Sequence, residues 1–319
     1  MHVLHCIDLD AAIAFFTDTQ GYRLDMIMPA DDPRIAEVSR DGESLRLEVE
    51  PAQPAKSATV DAPQFTLTRV SADDSWIVGR AGMHYRDLIP SRLGGRYIAS
   101  HIRIPVGGPV ADYVHFHQVC FQMIYCVRGW VRVVYEDQGE PFVLRAGDCV
   151  LQPPTIRHRV IEASDNLEVI EIGAPAEHAT FREHDIALPT AAFQPDRRFA
   201  GQRFVRHVAA DAAWHKDPVS RMAFRDTGIA DASGGVASVR VLRALQPRDA
   251  DGNEAATRVH QQGLLFFYLL EGELEVAGDS IGTHLLSAGD SCVIPRGAPY
   301  SFFPIGSCQI LEVAVAAEE

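Results

Sequence analysis

The sequence is short of positive charge: 29 Lys and Arg face 43 Asp and Glu, for a formal net charge of −14. That balance argues against a nucleic-acid binder, whose phosphate partners require a basic footprint. No block of like charges marks an interaction tail. Long apolar runs are missing as well. The longest, such as QGLLFFYLL, is too short to cross a bilayer, which predicts no membrane association. No positively charged leader opens the chain, so the cytoplasm is the expected compartment. Six cysteines occur without a CxxC pair or regular spacing. Cys120, Cys126, Cys149, Cys292 and Cys308 lie in strand-like apolar runs, where a reduced thiol serves as a small hydrophobe.

What is present first is a repeat. RVSADDSW ending at Trp76 resembles HVAADAAW ending at Trp214, and Met83–Asp87 (MHYRD) answers Met222–Asp226 (MAFRD). Gly94-Gly95 answers Gly234-Gly235, and Arg103 answers Arg243. VRGWVRVVYE around Gly129 answers LEGELEVAG around Gly272. RAGDCVLQPPTIRH answers SAGDSCVIPRGAPY, which places Pro153 over Pro295 and His158 over Tyr300. The offset stays near about 140 residues, too long for a solenoid repeat and right for a duplicated domain.

Within each copy, short β-branched and aromatic runs such as FQMIYCV and LFFYLL alternate with Gly, Pro and Asp turns. That pattern predicts an all-β sandwich or barrel. The predicted organisation is an N-terminal unit at 1–50, a Pro/Ala-rich linker at 51–63, a first β unit at 64–185, a connection at 186–200 and a second β unit at 201–319. The N-terminal unit does not repeat. DLDAAIAFFTDTQGY has helical apolar spacing that Gly21 ends, and strand-like RLDMIM, IAEVS and SLRLEVE follow, so a βαβββ order is expected.

Chemistry is concentrated in the first repeat. In YVHFHQVCFQMIYCVRG, His115 and His117 stand two apart on a strand and so share a face. His158 arrives on a later strand after the PPT turn. Three converging neutral imidazoles suit Fe, Mn, Ni, Cu or Zn. Tyr97, Ala99, His101 and Arg103 share one face of the preceding strand. Arg103 is a candidate to hold a substrate carboxylate, with His101 beside it, although Arg243 at the matching place favours a structural role. Gln152, just before the turn, is a further substrate-binding candidate.

These residues resemble the cupin superfamily, with its HxH, Glu and Gly motif followed by a G…PxG…H motif. Here the positions hold His115, His117, Gln122 and Gly129, then Gly147, Pro153 and His158. The resemblance runs from about residue 64 to the C-terminus. It implies a mainly β fold of two tandem double-stranded β-helix barrels after the small βαβββ module, with His115, His117 and His158 as metal ligands. Two positions depart from the motif. Gln122 replaces the glutamate and is the candidate fourth ligand, and Thr155 replaces the usual glycine. With a neutral fourth group the site is expected to favour an anionic ligand.

In the second repeat the four ligand positions hold Arg258, His260, Leu265 and Tyr300, so that copy is expected to be structural or to form a metal-free polar pocket. One divalent transition metal per chain is therefore expected, iron first, with Zn, Ni, Mn or Cu as alternatives. The N-terminal unit resembles half of a glyoxalase/vicinal-oxygen-chelate module, in which His2 or His5 and Glu48 lie near ligand positions. A single copy implies pairing in a homodimer or docking on the chain's own barrels. The functional expectation is an Fe(II)-type dioxygenase acting on a small anionic or chelating organic molecule. The alternatives are a metal-dependent isomerase, lyase or hydrolase, or a cupin that binds a metabolite without turnover.

Overall fold

The computed structural model describes residues 1–49, 64–71, 76–79, 82–217, 222–244 and 256–317. The expected linker at 51–63 lies outside the described residues. No described helix is long and apolar enough to cross a membrane.

The N-terminal unit has the βαβββ order read from the sequence. His2–Cys6 leads to the helix Leu9–Ala14, and strands Arg23–Met28, Ile35–Arg40 and Glu43–Val49 follow. Asp8 caps the helix by accepting from the Ala11 N–H at 2.9 Å. The outer strand His2–Cys6 runs parallel to Glu43–Val49, which puts His5 opposite Glu48. At the other edge, Arg23–Met28 pairs with Thr180–Arg182 of the first repeat. The unit thus docks edge-on to the chain's own β structure, which satisfies one open edge within a single protomer.

Thr180–Arg182 in turn pairs with His115–His117. One ten-stranded sheet therefore runs from the N-terminal unit through the histidine strand to Phe142–Arg145. A seven-stranded sheet contains Ile98–Ile104, Leu167–Ala174, Phe121–Arg128 and Cys149–Leu151. Between these sheets lies the core of the first repeat, with Ile102, Val131, Val133, Tyr135 and Leu144. The second repeat is an eight-stranded sheet dominated by Leu264–Gly278 and Ser301–Val315, with its own core around Leu265, Phe267, Leu274 and Phe302.

A third core joins the two repeats: Phe121, Met123 and Ile170 of the first pack with Val239, Phe266 and Val313 of the second. Strand alternation makes this possible, because each central strand sends one set of side chains to its own interior and the other set to the interface. The repeats also exchange strands. Thr66–Thr68, expected in the first unit, pairs with Ser291–Val293 of the second. Val205–His207 of the second pairs with Cys149–Leu151 of the first. Gly129, where the chain passes from one sheet of the first repeat to the other, and Gly272, inside Leu264–Gly278, occupy equivalent corners at φ 75 and φ 79. A Cβ there would meet Ser164 Oγ at 2.3 Å or the Ser307 carbonyl at 1.9 Å, so only glycine fits.

All six cysteines are free. Burial pushes the Cys126, Cys292 and Cys308 thiols up to about 12, which keeps them protonated and inert. Cys120 departs from the buried reading: it is exposed, just ahead of the strand Phe121–Arg128.

Candidate metal centre and its cavity

His115 and His158 lie directly opposite each other in antiparallel register, and His117 follows two residues along the same face. All three are buried, and their candidate ligand nitrogens lie within 4.8 Å of one another. Among the described residues this is the one group of His, Cys, Asp or Glu side chains so gathered. Hydrogen bonds orient each ring. His115 Nδ1 lies 2.8 Å from the Tyr113 carbonyl and His158 Nδ1 lies 3.0 Å from the Ile156 carbonyl. A carbonyl has no proton to give, so in the neutral rings Nδ1 carries the hydrogen and Nε2 carries the lone pair. His117 Nδ1 is held by Thr180 Oγ1 at 2.9 Å. Outer partners that fix the tautomer and aim the rings are what a metal-binding histidine needs.

Gln122 is buried on the strand Phe121–Arg128 of the seven-stranded sheet, where alternation puts it on the interior face with Ile124. Its Oε1 accepts from Gln152 Nε2 at 3.0 Å, and Gln152 Oε1 accepts from the Tyr135 hydroxyl at 2.5 Å. Burial pushes the Tyr135 hydroxyl up, so it stays protonated. Gln122 Nε2 has no hydrogen-bond partner. Reversing both amides preserves both hydrogen bonds and presents the Gln122 oxygen in place of its nitrogen. The residues therefore fit a divalent metal: three oriented imidazoles, and an orphaned buried amide whose oxygen can be turned outward.

Thr155 holds φ 65 where its counterpart Gly297 holds φ 78. A β-branched residue in the left-handed region is strained by roughly 1–3 kcal/mol. Its N–H bonds the His117 carbonyl at 3.1 Å, which ties the turn leading into His158 to the histidine strand.

The cluster opens into a cavity of ≈ 90 Å³. That is smaller than the roughly 150 Å³ apolar cavity that admits benzene, so only a small organic group enters. Its wall is mostly aliphatic, including Ile98, Ile102, Val133 and Leu144. Polar wall groups include Gln152, Ser100, Glu171, His178 and Asp31. Asp31 comes from the N-terminal unit and is held by Arg92 at 2.5 Å.

Sequence reasoning missed Asp31, Glu171 and His178. The repeat carried a signal for Glu171, which answers Glu312, but none for His178, which lies in a loop. His178 packs edge-on against His117 with ring centroids 5.4 Å apart. Burial holds its pKa below the ordinary value. Nδ1 faces the Pro175 carbonyl at 3.0 Å, and Nε2 is buried with no partner.

His101 and Arg103 require a correction. The cavity is lined by Ile98, Ser100, Ile102 and Ile104, so the odd-numbered residues of this strand point the other way, to the interface between the repeats. There His101 contacts Arg86 at 3.2 Å, Glu168 at 3.0 Å and the ring of Tyr268. Arg103 lies over the Trp76 ring at 4.4 Å, and Arg243 lies over Trp214 at 4.1 Å. The two copies of this cation–π contact are structural. Among the described residues no Lys or Arg lines the cavity.

In the second repeat the equivalent positions do not converge on a metal. His260 Nε2 faces the Ile294 carbonyl at 3.0 Å, and Nδ1 accepts from the Gln262 N–H. Arg258 pairs with Asp217 at 3.1 Å, and Leu265 belongs to the core. Burial pushes the Tyr300 hydroxyl up to about 12. In the N-terminal unit His2 and His5 are exposed, and Glu48 is bonded by Arg46 at 2.6 Å.

The cupin domain profile matches residues 100–173 and again 246–314. None of the curated proteins matches the chain. Among solved structures it is similar to protein Ylba from E. coli, at 13% identity and a TM-score of 0.53 over 83% of this chain and 96% of that one. It is also similar to salicylate 1,2-dioxygenase from Pseudoaminobacter salicylatoxidans solved with gentisate, at 17% identity and a TM-score of 0.56 over 80% and 83%. A third is oxalate decarboxylase from Bacillus subtilis, at 12% identity and a TM-score of 0.55 over 81% and 78%. At such identities the likeness is one of fold. Each copy of the duplicated β architecture thus matches one cupin domain, and the three-histidine cluster lies in the first.

Proposed function

We propose that the first cupin domain binds one divalent metal through His115, His117 and His158, with Gln122 as fourth candidate, and that the protein is an oxidoreductase of the Fe(II) dioxygenase type. The observation that carries this reading is the oriented histidine cluster in the wall of a small, mostly apolar cavity. When bound, iron(II) would supply open coordination positions and the redox chemistry with O₂. The chain's own residues do the rest. Aliphatic side chains exclude water, Gln152 fixes Gln122 against Tyr135, and His178 Nε2 offers a buried acceptor for a substrate hydroxyl or N–H. The fold is shared with a dioxygenase, which supports the reading by analogy.

A second reading, metal-assisted isomerase, lyase or hydrolase chemistry, is favoured by Glu171 and His178 in the same cavity, since both can exchange protons with a substrate. Elemental analysis of tag-free protein, followed by O₂ uptake with a panel of small chelating acids, separates the two. Copurified iron with substrate-dependent uptake is expected. Tightly held zinc without uptake would favour the second reading, and ligand binding without turnover would sink both.

We also read the N-terminal unit as a glyoxalase-like half-module, on its βαβββ order and parallel first and last strands. A cytoplasmic homodimer is proposed on its exposed outer strand, where Val3 and Leu4 face solvent.

A further inference from the structure

Two buried nitrogens in the interior of the first domain have no hydrogen-bond partner, Gln122 Nε2 and His178 Nε2. Reversing the Gln122 amide puts an oxygen in place of the first, which the metal reading uses as a fourth ligand. Turning the His178 ring over would instead give up its bond to the Pro175 carbonyl, so no reversal accounts for the second. Nor is His178 one of the ligand residues whose atoms gather within 4.8 Å of one another. Its orphaned nitrogen needs a different partner.

The ring is fixed in place. On one side the Ala176 N–H bonds the Gly95 carbonyl at 3.0 Å, and Glu177 pairs with Arg34 at 2.5 Å. On the other the Ala179 carbonyl accepts from the Gln118 N–H at 2.9 Å. Nδ1 lies 3.0 Å from the Pro175 carbonyl, which has no proton to give, so the neutral ring carries its hydrogen there and its lone pair on Nε2. The side chain lines the cavity and meets the His117 ring edge-on, with centroids 5.4 Å apart. A buried acceptor held this way is complementary to a donor brought in from outside.

The wall decides what else that molecule carries. Among the described residues no Lys or Arg lines the cavity, and Asp31 is paired with Arg92 at 2.5 Å. A carboxylate therefore meets no cation in the wall and belongs at the metal end. A neutral hydroxyl or N–H at His178 requires none.

We propose that His178 sets the substrate specificity of the first domain: the molecule that enters carries a neutral hydroxyl or N–H group, whose hydrogen is donated to His178 Nε2. The inference deepens the metal reading above and rests on it only for the other end of the substrate, toward His115, His117 and His158. The acceptor itself is built from His178 and its anchored segment. An analogue of the same shape without the donor leaves Nε2 buried and unpaired, and a site of this kind rejects such analogues most strongly.

The test uses the full chain, metal-free and loaded with diamagnetic zinc, and two pairs of probes matched in shape. Isopropanol against acetone reads a hydroxyl, and pyrazole against isoxazole, in the metal-free chain, reads an N–H. In titrations followed by NMR at least one donor should bind about tenfold or more tighter than its partner, and the pair with the larger ratio identifies the class. With isotope-labelled histidine nitrogens, the His178 Nε2 resonance should move with that donor and stay with its partner. His178→Phe, which keeps a ring but no acceptor, should remove the preference and leave the metal content unchanged. Where that variant fails to fold, the labelled nitrogen decides. Equal binding within both pairs, an Nε2 that already carries hydrogen, a preference that survives in His178→Phe, or loss of metal in that variant would overturn the proposal. A chain that shows the donor preference but holds no metal would refute the metal reading alone. A chain that holds metal but shows no preference would refute this inference alone.

Discussion

His158 is the candidate ligand that the chain brings from farthest away, and its removal leaves two imidazoles and an amide. His158→Ala should take the metal content of purified protein from near one per chain to near zero, while Tyr300→Ala, at the matching position of the second domain, should leave it unchanged. Elemental analysis reads both, and a value near two in the unaltered protein would contradict a single site. Gln122→Glu should tighten divalent metal binding by adding a charged oxygen ligand and should weaken anions at the site. Competition with a chelator measures the first effect. Thr155 can be tested independently of metal. Its φ of 65 costs free energy that glycine would not, so Thr155→Gly should stabilise the fold by about 1 kcal/mol in chemical denaturation. All three positions were legible as residue types at given spacings. Glu171 and His178 were not singled out, because an isolated carboxylate or imidazole in a sequence does not show which face of its strand or loop meets a cavity.

The strand Ile98–Ile104 shows how a correct element can mislead about its own residues. Its alternation was right, yet His101 and Arg103 face the domain interface while Ser100 and Ile102 face the cavity. Period two assigns side chains to two faces, but in a strand covered on both sides it does not say which face holds the site. Arg103→Ala should therefore lower stability by about 1 kcal/mol through the lost contact with Trp76, with metal content and ligand affinity unchanged. Thermal unfolding beside elemental analysis checks this. A variant of unaltered stability that no longer binds substrate would restore the substrate role. The glycine corners behaved differently. Gly129 and Gly272 were visible as turn residues, and the close approach of the neighbouring chain explains why the corner must be glycine in both copies.

At the scale of the molecule, the N-terminal unit contributes twice to the first domain: Arg23–Met28 extends the sheet that carries the histidine strand, and Asp31 reaches the cavity. Deleting residues 1–60 should expose the edge of Thr180–Arg182, lower the unfolding temperature and weaken metal retention; light scattering on the same sample reads assembly. A truncated protein that stays dimeric would place the dimer contact in the cupin domains, and a truncated monomer would support pairing through the outer strand His2–Cys6. The amino-acid sequence by itself determined the duplication, the β class, the βαβββ order at the N-terminus and the three histidines. These are carried by local spacing, by turn residues and by the comparison of one half of the chain with the other. Only the tertiary structure decided which face of Ile98–Ile104 lines the cavity and that Thr66–Thr68 and Val205–His207 are exchanged between the domains. Those outcomes depend on pairing between segments far apart in the chain, which no local pattern encodes.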